Sequence, residues 1–383
     1  MVVPESATHR SQAGKSSTQS DSKPFTLATL KPIAFALLVL TGQAVILPVA
    51  NADGIVVDQS APANQQPVIT NTASGITQVN IQAPSAGGVS RNTYTQFDVG
   101  QPGVILNEVN SNNPSLLNGY IEVAGSRAQV VIANPAGISC DGCGFINANR
   151  ATLTTGTPIM NSGNLMGYRV GGGTINFLGA GLDTTQANYT DVIARAMQVN
   201  AGILANTFNV VTGTNQVNID SSGDQTIVTP ITPNSGSTVP NFAVDVAALG
   251  GMYAGKIHLI GTEAGLGVRN AGDIGASAGE VATTLDGHLT NIGHIVSIGN
   301  TNINIAGNLN NTGASIGAGG TLDINSARIT NEDGLIQATG SLTIDTHGDS
   351  LLNTPRRCFH FSYSLFSHLL IPESPSKIII VCE

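Results

Sequence analysis

Between residues 265 and 354 the chain repeats one short phrase at a nearly constant interval. The segments VRNAGDIGA, LTNIGHIVS, LNNTGASIG, ITNEDGLIQ and LLNTP align on Asn270, Asn291, Asn311, Asn331 and Asn353, which are 21, 20, 20 and 22 residues apart. Such a period, with the form apolar, polar, Asn, x, Gly, is what one coil of a β-helix requires, because strands stack in register and one residue type meets the same corner in every coil. Asn suits that corner: it tolerates left-handed backbone geometry, and its amide can bond to the counterparts above and below. Between corners, NINIAG (302–307), TLDINS (321–326) and SLTIDT (341–346) alternate apolar and polar residues, the pattern of half-buried strands. At about 20 residues per coil, residues 53–354 make roughly 15 coils.

Composition agrees with a narrow core. The chain has 45 Gly among 383 residues, no Trp, 4% aromatic and 10% charged residues, against about 25% charged in an ordinary globular protein. There are few large side chains to fill a wide interior, but many β-branched and small ones to stack. From 53 to 354 there are 20 acidic residues against 8 basic ones. So few cations cannot neutralise many phosphates, which excludes nucleic acid as a partner.

Residues 1–52 read as a secretory signal with a long n-region. Arg10, Lys15, Lys23 and Lys31 precede an uncharged apolar run, Ile33 to Ala50, and Ala50-Asn51-Ala52 has the small-x-small form of a cleavage site. Thr41, Gly42, Gln43 and Pro48 interrupt the run, against a membrane anchor.

From Ile76 to Ala133 short alternating segments follow one another, at 76–82, 94–99, 103–109, 119–124 and 128–133, and no window sustains a helical period. Two Asn-Pro pairs punctuate them, in Asn113-Pro114-Ser115-Leu116 and Asn134-Pro135-Ala136-Gly137. Pro presets the first central turn position, Gly accepts positive φ, and the Asn side chain bonds to amides two residues on. By chemistry alone each is a corner.

Taken together, the two Asn-Pro motifs, GVILNEV (103–109) and the run CDGCGFINANRATLTTGTP (140–158) resemble the two-partner secretion domain of filamentous haemagglutinin-like exoproteins. ARAMQVNAGILA (194–205) and the segment 242–276 resemble the same family. The family's motifs usually carry Asn at the third position, where this chain has Ser115 and Ala136. The resemblance implies an all-β chain folded as a right-handed parallel β-helix with an amino-terminal cap. It also implies a periplasmic intermediate, an outer-membrane partner transporter, and a product that is secreted or held on the bacterial surface as an adhesin or as the front of a contact-dependent toxin carrier. Host or bacterial receptors or glycans are the expected further partners. Asn113, Pro114, Leu116, Asn134, Pro135 and Gly137 are the positions expected to serve transporter recognition or folding of the cap. The resulting division is a signal at 1–52, a secretion domain at 53–276, adhesin-type repeats at 277–354 and an atypical tail at 355–383.

Cys140 and Cys143 form a C-x2-C pair. No second Cys or His pair with ligand spacing lies near to complete a zinc site, and the β context lacks the helix of a redox motif. In an exported chain a local disulfide is expected, with two free thiols as the alternative. The short loop makes its contribution small, and losing Cys140 is expected to do little more than loosen a loop.

The Ser/Thr/Pro-rich stretch from Asp220 to Asn241 reads as a surface excursion or linker, and Val199-Asn200-Ala201-Gly202 has the form of the later repeat corners. After Thr354 the sequence changes character: it holds no Gly, two of the four Cys, and Phe359, Phe361 and Phe366. It is expected to be a frameshift scar or a closing cap. The polysaccharide-cleaving β-helix enzymes are the competing class, but they need clustered carboxylates and a cation. Here the basic residues are scattered and His258, His288 and His294 fall at surface positions, so neither enzymatic activity, metal nor cofactor is expected.

Overall fold

The computed structural model describes residues 54–354 apart from 72–76, 84, 87–89, 98–106, 110–111, 124–126, 163, 221 and 223. The signal segment 1–52, the tail 355–383 and the first part of the strand expected at 103–109 lie outside the described residues.

Alternating segments become strands stacked in parallel, and each coil contributes to three ladders. Face A runs from Ser115–Leu117 through the first halves of Ile138–Ile146 and Thr174–Asp183 to Ala196–Val199, Val244–Val246 and Val268–Asn270. It continues through Leu289–Asn291, Leu309–Asn310, Ile329–Glu332 and Leu351–Thr354. Face B includes Tyr120–Glu122, the start of Gly202–Thr212 and of Gly251–Gly261, Asp273–Ala276, His294–Ser297, Ser315–Ala318 and Leu335–Ala338. Face C includes Ala128–Ala133, Ala148–Thr154, Tyr189–Ala194, Val281–Leu285, Thr301–Ile305, Leu322–Asn325 and Leu342–Asp345. The chain travels A to B to C in each coil. The 3-10 turn Ala63–Gln65 is the sole helical element among the described residues.

Inward residues form one continuous core, with Phe145, Phe177 and Phe208 in the early coils and Ile and Leu in the later ones. The first edge would be an open template for pairing. Ile55–Val57 closes it by pairing antiparallel with Thr93–Phe97, and the buried rings of Tyr94 and Phe97, 5.0 Å apart, fill the end of the core.

The A-to-B corner carries the repeat asparagines. Asn270 donates to Asn291, Asn291 to Asn311 and Asn331 to Asn353 at 2.8 Å, and Asn311 to Asn331 at 2.7 Å. The same amides reach face B: Asn270 donates to the His294 carbonyl and Asn291 to that of Ser315, each at 3.0 Å. In register above them the column reads Leu117, Cys140, Phe177, Val199, Val246. The ladder therefore starts at Asn270, whose Oδ1 is buried without a partner among the described residues because Val246 has nothing to donate. Asn200, read from sequence as a repeat corner, is offset by one: Val199 holds the ladder position and Asn200 is exposed.

Replacing Asn311 with Ala leaves one of the two Asn291 amide hydrogens and the Asn331 acceptor unmatched in the core, at about 1–3 kcal/mol each. Because coils touch only their neighbours, amide exchange should speed up between about 285 and 340 and stay unchanged before 250. Uniformly accelerated exchange would contradict this locality.

The stack has about 11 turns, fewer than period alone suggests, because the residues before Thr93 build the cap strand and a separate hairpin, Val68–Asn71 with Thr77–Asn80, and because two C-to-A corners are expanded. Residues 155–173 and 213–243 leave the coil there and supply Thr157–Asn161, Asn164–Val170, Asn215–Ile219 and Gln225–Pro230 to a separate antiparallel sheet. Within the expected linker, Gln225–Pro230 is thus a strand, paired with Asn215–Ile219 just before it. Tyr168, Val170 and Val217 of this flap pack on Ile193 and Val211, outward residues of face C, in a second apolar cluster.

Candidate functional site

The two Asn-Pro motifs occupy the C-to-A corner of consecutive coils, one stacked on the other. Asn134, fully buried, ends face C by donating its backbone N–H to the Thr154 carbonyl at 2.9 Å. Its Nδ2 reaches into the preceding coil and donates to the Asn113 carbonyl at 2.9 Å and to Ser115 Oγ at 3.0 Å. Its Oδ1 accepts from the Ala136 N–H at 2.9 Å, while Gly137 N donates to the Asn134 carbonyl at 3.0 Å, closing the turn over Pro135. The side chain at the family's first motif position therefore ties both motifs together. Ser115, where the family usually has Asn, is buried and serves as an acceptor in that tie.

Gly137 sits at φ +125, and a Cβ there would stand 2.9 Å from the Thr174 carbonyl oxygen and against the Pro114 ring. Glycine is needed for both conformation and clearance. Ser115 N donates to the Gly137 carbonyl at 3.0 Å, so face A begins in register from this corner. Asn113, Pro114 and Pro135 are exposed, as is Leu116 at 47%. The six residues thus divide into an inward set, Asn134 and Gly137, that builds the corner, and an outward set that presents two prolines and a leucine.

Cys140 and Cys143 are joined by a disulfide and both are buried. Cys140 stands in the column later taken by the ladder asparagines, and Cys143 in register with Leu182, Ile203 and the face B isoleucines. The expected local disulfide is present, but it spans the A-to-B corner with both cysteines inside the core, so the expectation that losing Cys140 does little more than loosen a loop needs correcting. Cys140→Ala with Cys143→Ala empties core volume and should cost about 1–3 kcal/mol. Reduction alone leaves both sulfurs in place and should cost less, because a short loop constrains the unfolded chain little. Melting the reduced wild type beside the double variant tests this order.

Sequence reasoning missed the groups that hold the flap. Arg150 and Asp191 are 3% and 2% exposed and pair through Nη1 at 2.8 and 3.0 Å. Asp191 also accepts from Asn209 at 2.8 Å and Thr152 at 3.2 Å, its neighbours in the ladder column. Arg150 stacks on Tyr189, 4.4 Å from the ring centre, and bridges outward to Asp224 on the flap. Burial lifts the Asp191 carboxyl above its usual range, with Arg150 and the two hydrogen bonds pulling against that rise. Among the described residues no three metal-ligating side chains gather.

Parallel coils, an antiparallel first-edge cap and stacked Asn-Pro corners define a class: a parallel β-solenoid capped at its first edge. Comparison makes this specific. Residues 53–291 match the model of the TPS secretion domain, and the chain belongs to that family. A solved structure titled as the filamentous hemagglutinin secretion domain superposes with a TM-score of 0.53 at 27% identity, covering 75% of this chain and 99% of that one. Toxin CdiA of Yersinia pestis is 50% identical over 335 residues, 79% of this chain and 10% of that protein. The tRNA nuclease CdiA-2 of Burkholderia pseudomallei is 40% identical over 331 residues, 77% of this chain and 10% of that protein. The chain spans about a tenth of the length of these curated relatives.

Proposed function

We propose that the capped coils direct export through an outer-membrane partner transporter, by way of the periplasm, and start a β-helical filament at the cell surface. The observation that carries this reading is the stacked pair of Asn-Pro corners near the cap, with Pro114, Leu116 and Pro135 turned outward. Asn113 and Pro114 frame the first corner, while Asn134 and Gly137 keep it folded. The secretion domain at 53–276 followed by filament repeats at 277–354 is part of the proposal, as is an adhesin role toward cell-surface receptors or glycans. A second reading, the amino-terminal part of a contact-dependent toxin carrier, is favoured by the toxin relatives; the tRNA nuclease activity named for the Burkholderia pseudomallei one is a property of that protein.

Co-expression with and without an outer-membrane partner transporter of the two-partner type tests export. Release into the medium should require the partner, and equal release in its absence would overturn the proposal.

A further inference from the structure

The C-to-A corner of the repeat region forms an open trough of about 500 Å³, within the roughly 300–1,000 Å³ common for small-molecule sites. Its floor is Gly287 and Gly307. A Cβ on Gly287 would collide with the Leu266 carbonyl, and one on Gly307 would meet the Gly287 carbonyl oxygen at 2.6 Å, so the floor stays bare. Its walls carry Asp286, His288, Thr290, Asn308 and Asn310. The His288 ring lies over Gly267 and meets Phe242 edge-on at 6.5 Å, which fixes it as a flat wall.

What the trough lacks narrows the ligand. Its backbone is already paired between coils: Gly307 N donates to the Gly287 carbonyl at 2.8 Å and Leu289 N to the Asn308 carbonyl at 2.9 Å. An extended peptide therefore finds no strand edge to join. The nearby cations are engaged, Arg269 with both Asp245 oxygens at 2.8 Å and with the Phe242 ring, and Arg328 with Asp349 at 3.6 Å. With Asp286 on the rim, a phosphate or sulfate is repelled rather than held. Much of the lining is carbon, but it comes from glycine backbone, His288 and Thr290, and the apolar side chains that line the trough are buried Leu289 and the small Ala306, too little for an acyl chain. Among the described residues the side chains of Asp286, Thr290 and Asn308 are not bonded within the protein, unlike the ladder asparagines one corner away.

A carboxylate acceptor, amides that donate and accept, a hydroxyl and a flat ring along a bare floor suit a polyhydroxylated ligand with C–H faces. We propose that this trough binds a neutral oligosaccharide: His288 stacks against one sugar face, and Asp286, Asn308 and Asn310 hydrogen-bond its hydroxyls. The proposal rests on and sharpens the adhesin role toward glycans, and it stands or falls separately from export, because its residues lie several coils from the Asn-Pro corners and export is read by release rather than by ligand binding.

The test is titration of the purified full chain with cellohexaose and with chitohexaose, followed by ligand-observed NMR, with a heparin hexasaccharide as the anionic probe. Saturable binding of at least one neutral probe is expected, weakened at least about tenfold by His288→Ala and by the exposed Asn308→Ala. Asp323→Ala on the adjoining face C should leave affinity unchanged, and melting curves of each variant report folding separately. Absence of saturable neutral binding, affinity retained in both trough variants, or preference for the heparin probe would each overturn the proposal.

Discussion

Asn134→Ala should abolish release of the protein while also destabilising the first coils. The substitution deletes two bonds into the preceding coil and one within the turn. It leaves the buried Ser115 hydroxyl and the Ala136 N–H unmatched, for a loss of about 2–4 kcal/mol. Pro135→Ala is the informative partner. Pro135 is exposed at the turn, and its loss mainly frees the unfolded chain, costing about 0.4–1 kcal/mol. If the corner works only by folding, release of Pro135→Ala and Leu116→Ala should follow their small stability losses. If the outward set meets the transporter, both should lose release with near-wild-type melting curves. Release measured beside thermal melts separates these cases, and wild-type release of Asn134→Ala would remove the corner from the export mechanism altogether.

How far the sequence shows the fold depends on the corner. At the A-to-B corner one residue type recurs from Asn270 to Asn353, because every ladder amide must meet an identical partner. Such a demand writes itself into the sequence as a period. Before Asn270 the same column holds Val246, Val199, Phe177 and Cys140, which satisfy it by packing or by a disulfide. Hydrophobic packing accepts many residues, so the early coils show no period and their motifs show the coil only by resemblance.

The C-to-A corner absorbs variation instead. It holds the Asn134 turn, both expansions that make the flap, and the bare trough at Gly287 and Gly307. The flap was illegible because antiparallel strands alternate with the same period of two as the coils, and because the Gly, Ser and Pro punctuation of 220–241 resembles a linker's. Arg150 and Asp191 were missed for a related reason. Each sits at an outward strand position that would be solvated on an uncovered face, and only the flap makes it buried. The signal available was an isolated Arg inside the Thr-rich run NANRATLTTG, too slight without the register that puts Thr152 opposite Asp191.

That burial makes Asp191→Ala the second large effect to expect. Removing the carboxylate leaves Arg150 enclosed, with its Nε already unmatched among the described residues and its remaining charge partner, Asp224, on the exposed side of the flap. Breaking a buried pair in this way costs about 3–5 kcal/mol. The loss should centre on the flap, because the coils beneath it keep their own ladders while Tyr168, Val170 and Val217 are held against face C partly through this clamp. Amide exchange across 164–170 and 215–219 should therefore accelerate by orders of magnitude, with the repeats beyond 270 unchanged. Arg150→Met with Asp191→Leu removes both charges and should restore much of the protection, since an apolar pair of similar volume avoids the desolvation penalty. Should flap amides in Asp191→Ala exchange as slowly as in the wild type, the ion pair is not what holds the sheet, and the apolar cluster alone secures it.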